Sequence, residues 1–153
     1  MLRGERRATP LPPLPFGHSR GLLDTDGCSF AIRGQLGMRS AISAKPLARL
    51  HVSTITIAEA WAGSLESPSR VRLIALWQAF LVPFAERILP FDQEAAEEYG
   101  AIRAHLESRG QMIGDRDCMI AAVARSRRFA LVTRNVAELG LVPGLKVENW
   151  TKG

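Results

Sequence analysis

The chain has 153 residues, enough for one domain with its own core and too few for two ordinary ones. Its 46% hydrophobic and 23% charged residues are ordinary for a globular protein, and no apolar run reaches the ~18 residues of a membrane span. The formal charge of +5, with 17 arginines to 3 lysines, fits a phosphate-bearing partner, since arginine forks pair well with phosphate.

Residues 1–20 carry Pro10, Pro12, Pro13 and Pro15 and show neither helical nor strand periodicity. The prolines deny this stretch the continuous apolar run of a signal peptide. It reads as a disordered tail, followed by one domain over 21–153. Gly21-Leu22-Leu23 is a buried strand ending at Asp24. Short helices are expected over 26–34 and 38–49, and a strand at His51-Val52-Ser53. A helix over 55–65 has Ser53 or Thr54 as cap. Pro68 starts the next helix, which runs to about Phe84. Ile88-Leu89-Pro90-Phe91 is strand-like. Asp92 caps a helix whose Ala95, Ala96, Tyr99, Ile102 and Leu106 form one buried face, ending near Gly110. A helix from about Asp115 to Arg127, a strand at 129–132 and a last strand at Leu145-Lys146-Val147 complete the chain. Alternating strands and helices imply βαβ units and a mostly parallel sheet. Ligands of such sheets bind beyond the carboxyl ends of the strands.

Four polar residues fall where that rule points. Asp24 ends the first strand, Asn135 follows the 129–132 strand, Asp117 opens the 115–127 helix, and Glu59 lies in the apolar stretch around Ile55, Ile57, Ala58 and Trp61. Each has a bland reading as turn, cap, dipole partner or solvated position. Together they pose a physical problem, because converging carboxylates raise one another's pKa. A hard divalent cation removes the penalty, takes one or two carboxylates directly and can activate water at a phosphodiester. His18, His51 and His105 show no metal-ligand pairing. Cys28 and Cys118, 90 residues apart, suit neither a metal site nor a disulfide framework. They read as small buried hydrophobes in a reducing, cytoplasmic setting.

The segments LLDTDGCSFAIRG, HVSTITIAEAWAG, IGDRDCMIAAVARSRRFALVTRN and VPGLKVENW, in this order over about residues 21–150, resemble the motifs of PIN-domain ribonucleases of the VapC type. The resemblance implies a three-layer α/β/α fold and a metal-dependent endoribonuclease, the toxin of a toxin–antitoxin pair. It implies Asp24 and Asp117 as direct Mg²⁺ or Mn²⁺ ligands, Glu59 holding or activating water, and Asn135 with Thr133 orienting the metal's waters. Products would carry a 5′-phosphate and a 3′-hydroxyl. Within the family the chain looks closest to the branch that cleaves initiator transfer RNA. The resemblance also implies a VapB-like antitoxin whose tail plugs the acidic crevice, and a homodimer. The apolar 68–84 helix could serve core or interface, and Trp77 either. Arg116, Arg125, Arg128 and Arg134 are candidate phosphate contacts. Asp26 and Asp115 are further carboxylates beside the site. Gly27 and Asp115 depart from the family pattern, and Asp115 reads as a helix cap rather than a group crowding the metal. Two alternatives stay open. The chain could be a non-catalytic binding module of the same fold. Alternatively, Asp24-Thr25-Asp26-Gly27 resembles the DxDG opening of haloacid-dehalogenase-type phosphatases, though no lysine lies between Lys45 and Lys146 to complete that site.

Overall fold

A computed structural model describes residues 20–34, 40 and 42–150; the proposed 1–20 tail, apart from Arg20, lies outside the described residues. The elements run β1 (Gly21–Leu23), α1 (Thr25–Ile32), a 3₁₀ turn (Leu47–Arg49), β2 (Leu50–Ser53), α2 (Thr54–Leu65), α3 (Arg70–Leu81), a second 3₁₀ turn (Val82–Phe84), β3 (Ile88–Leu89), α4 (Gln93–Ser108), α5 (Asp115–Arg127), β4 (Ala130–Val132), α6 (Val136–Leu139) and β5 (Val147–Glu148). The five strands form one sheet in the order β3-β2-β1-β4-β5, every pair parallel. The chain starts in the middle, builds outward to β3, then returns to the other side of β1. The order therefore reverses between β1 and β4, which opens a crevice at their carboxyl ends.

Side chains alternate across each strand, so the sheet has a core on both faces. Leu22 and Leu131 pack with Ile102, Leu106, Ile120 and Val123 from α4 and α5. Leu23 and Val132 pack with Val52, Trp77 and Phe84 on the other face. Truncating any of the fully buried leucines to alanine costs about 2–5 kcal/mol. The helix α5 is buried nearly all round, with Cys118 and Ile120 to Ala124 enclosed. Trp77, 6% exposed, belongs to the core. Both cysteines are buried and free, and burial pushes both thiols up. Among the described residues, no helix is long and apolar enough to cross a membrane.

Several expected boundaries move. Ser40, Ile42 and Ser43 are helical, but the expected 38–49 helix stops before Pro46, and 35–39 and 41 lie outside the described residues. Helix α3 begins at Arg70 rather than Pro68. It gives way to a 3₁₀ turn at Val82, because Pro83 has no N–H to continue the ladder. β3 keeps only Ile88 and Leu89, and the last strand is Val147–Glu148 rather than 145–147. Ala96 is exposed, while Ala95, Ile102 and Leu106 carry the buried face of α4. Gly110, at φ +64°, turns the chain after that helix.

Candidate active site

Asp24 continues the sheet for one residue beyond β1, its amide donating to the Val132 carbonyl at 3.1 Å. Its side chain then caps α1, Oδ1 accepting the Gly27 amide at 2.7 Å. The residue is only 5% exposed. Burial pushes its carboxyl up to about 6; the Thr133 hydroxyl and the Gly27 amide pull against that rise, while the Asp26 and Asp117 charges add to it.

Ser53 caps α2 by accepting the Thr56 amide at 3.2 Å. This fixes the helix so that Glu59, on its second turn, faces α1. Thr25 Oγ1 donates to Glu59 Oε1 at 2.8 Å and lies 2.9 Å from Thr56 Oγ1. A hydroxyl has one proton to give, so the Thr56 hydroxyl donates to Thr25. Arg116 Nη1 stands 3.8 Å from Glu59 Oε2. A cavity of about 200 Å³ opens beside this group, lined by Thr25, Ser29, Glu59, Ser64 and Trp77 among others.

Asp117 projects from the first turn of α5. Its carboxyl is raised by burial first, then by the charges of Glu59, Asp26 and Glu138. Thr133, 1% exposed, follows β4 and accepts the Asn135 amide at 3.0 Å. Asn135 stands at the start of α6 but makes no side-chain cap; its Nδ2 donates to Glu138 Oε2 at 2.9 Å.

The fold thus gathers Asp24, Asp26, Glu59, Asp117, Thr133 and Asn135 at the switch point between β1 and β4. Thr25, Thr56 and Glu138 join them, and sequence reasoning singled out none of these three. A threonine directly after Asp24 was the available signal for the first. Other expected residues lie elsewhere. Asp115 neither caps α5 nor joins the cluster: Gly114 holds the cap position, and Asp115 Oδ1 accepts from Tyr99 Oη at 3.1 Å and Arg103 Nη1 at 2.8 Å. Arg125 pairs with Glu98 and donates to the Pro143 carbonyl at 3.0 Å. At 1.5 Å of rise per residue it sits roughly 12 Å along the helix from Asp117. Arg128 ends the same helix at φ +58°, farther still. Arg134 is at the mouth, its guanidinium 4.5 Å from the centre of the Phe30 ring.

The donor set is all oxygen and two of its carboxylates resist ionisation, which is the condition a hard divalent cation relieves. Among the described residues no three acidic, histidine or cysteine side chains stand close enough to enclose an ion unaided. Mg²⁺ does not require that, since it keeps several waters and takes one or two carboxylates. Asp24 and Asp117 fit such an ion.

Residues 22–137 match the PIN domain. The chain belongs to the PIN-domain family. Several of the relatives it resembles are VapC ribonucleases. The tRNA(fMet)-specific endonuclease VapC of Salmonella typhimurium is 33% identical over 129 residues, covering 84% of this chain and 96% of that protein. Ribonuclease VapC2 of Haemophilus influenzae is 38% identical over 102 residues, 67% of this chain and 76% of the relative. In structure, a chain of DNA-bound VapBC from Salmonella typhimurium superposes with a TM-score of 0.80 at 32% identity, over 87% of this chain and 99% of that one. The phosphatase reading falls with these matches.

Proposed function

We propose that this chain is the ribonuclease toxin of a VapBC-type pair, acting in the cytoplasm as a Mg²⁺- or Mn²⁺-dependent endoribonuclease on transfer RNA. The observation that carries the reading is the Asp24 carboxyl, 5% exposed at the switch point and fixed there by the Gly27 amide, with the Asp26 and Asp117 charges beside it. The transfer RNA substrate is carried by the relatives named for it.

Asp24 and Asp117 would hold the cation, which supplies Lewis-acid charge to activate water and offset charge on the leaving oxygen. The Gly27 amide and Thr133 fix the orientation of Asp24. Glu59, oriented by Thr25, accepts a proton from the attacking water. Asn135 orients solvent at the mouth. Arg116 pairs with Glu59 in the free protein and turns to a phosphate when RNA enters.

A VapB-like antitoxin restrains the enzyme. Solved relatives are toxin–antitoxin complexes, and this chain exposes Leu65 and Val71, which line an apolar surface pocket with Ile74. That surface suits an antitoxin segment, and the toxin itself forms a homodimer. The test is cleavage of total transfer RNA, with and without Mg²⁺, by the unaltered chain and Asp117→Asn. Metal-dependent cutting lost in the variant supports the reading. Equal cutting by both sinks it.

A further inference from the structure

Two guanidiniums converge on one aromatic ring beside the acidic crevice. Arg33, at the end of α1, places its guanidinium carbon 5.5 Å from the centre of the Phe30 ring, and Arg134 places its own at 4.5 Å. They come from opposite ends of the sequence. Neither is paired with a carboxylate among the described residues, whereas Arg103, Arg116, Arg125 and Arg127 all are. Arg134 directly follows Thr133, whose hydroxyl helps to hold Asp24. Both arginines are exposed and Phe30 is half-buried.

A guanidinium uses its face against a ring, so its rim of N–H donors stays free. Contact with the ring therefore restrains two long side chains, and among the described residues neither guanidinium spends its N–H donors on a carboxylate. We infer that Arg33 and Arg134, held on Phe30, form a preorganised seat for an RNA backbone phosphate next to the one that is cut. A polyanion must approach a cluster of carboxylates here, and an unneutralised arginine pair at the rim offsets that repulsion. This inference rests on the ribonuclease reading and adds Phe30 and Arg33 to it.

The test measures binding of a labelled single-stranded RNA oligonucleotide to full-length Asp117→Asn protein, with and without Arg33→Gln plus Arg134→Gln, across a salt series. Cleavage kinetics are compared with Asp117 restored. The double change weakens binding on the order of tenfold and flattens the slope of log affinity against log salt by about 0.7, for the one phosphate no longer neutralised. KM rises while kcat is kept. Phe30→Leu, which keeps apolar packing and removes the π face, weakens binding less and in the same direction. Unchanged affinity and slope overturn the inference while Asp117-dependent cleavage still stands. It is equally overturned if the arginine pair proves to matter for an acidic antitoxin peptide and not for RNA. Loss of Asp117-dependent cleavage in the otherwise unaltered chain would remove the ribonuclease reading, and this inference with it.

Discussion

Thr25 Oγ1 donates a 2.8 Å hydrogen bond to Glu59 Oε1, joining residues 34 apart in sequence. Glu59 keeps 22% of its side chain exposed, so without this bond it would have several rotamers open to it. Thr25→Val keeps the shape and removes the donor. The expected result is a cleavage rate about tenfold lower with KM little changed, and a stability loss of about 1 kcal/mol. Thr25→Ser should restore most of the rate. Single-turnover kinetics on the three proteins check this; an unchanged rate in the valine variant would show that Glu59 needs no orienting partner.

Asp24 and His51 give the fold opposing responses to acid. Asp24 is raised from 3.8 to about 6 by burial, so the folded state holds its proton more tightly than the unfolded one. Its contribution, roughly 3 kcal/mol, is fully present below 3.8 and is lost as pH rises through 6. Burial against Phe129 lowers His51 from 6.5 to about 4. Its contribution, of similar size, is present above 6.5 and is lost as pH falls toward 4. Between pH 6.5 and 4 the two nearly offset. Urea unfolding across that range should find Asp24→Asn losing stability in acid and His51→Leu gaining it. Parallel curves for the two variants would contradict this assignment. At pH 7, Mg²⁺ should raise the Tm of the unaltered chain and not of Asp24→Asn.

What the sequence made legible was local. Asp115 to Arg127 could be bounded as a helix from its apolar run, and Ser53 or Thr54 could be read as a cap from its place before one, the structure choosing Ser53. The acidic quartet was legible because strand ends and helix starts mark the crevice of a parallel sheet. Strands of two residues carry no period, so the last strand slipped from 145–147 to Val147–Glu148. The partners of each charge were hidden for another reason. Thr25 with Glu59, Arg125 with Glu98 and Asp115 with Arg103 are all contacts between helices. No single-helix periodicity reveals which ridges meet.

The far end of α5 offers a contrast in arginines. Arg125 is tied to Glu98 and the Pro143 carbonyl, joining α4, α5 and the loop after α6. Arg125→Ala should cost about 1 kcal/mol and leave RNA affinity and its salt dependence unaltered. Arg128 occupies a left-handed turn at φ +58°, a conformation that glycine adopts with less strain. Arg128→Gly should match or exceed the parent's stability by up to about 1 kcal/mol. Thermal unfolding and RNA anisotropy on both variants check the pair; a reduced salt slope for either would bring this end of the helix into the RNA path.

Asp115 and Asp117 lie two residues apart on one helix, yet they face different tasks. Asp115 is bonded to Tyr99 and Arg103 of α4, with two-thirds of its side chain in solvent. Asp117 is half-buried and feels Glu59, Asp26 and Glu138. Asp115→Asn should lower stability by no more than about 1 kcal/mol, since exposed ion pairs contribute little, and should leave kcat and KM within twofold or so. Asp117→Asn should abolish cleavage while leaving the fold as stable as before or more so, because it removes a carboxylate from a repelling group. Measuring the Tm and the cleavage rate of both proteins separates the roles. A large fall in kcat for Asp115→Asn would mean that Asp115 reaches the site after all, and that its bond to Arg103 opens during the reaction.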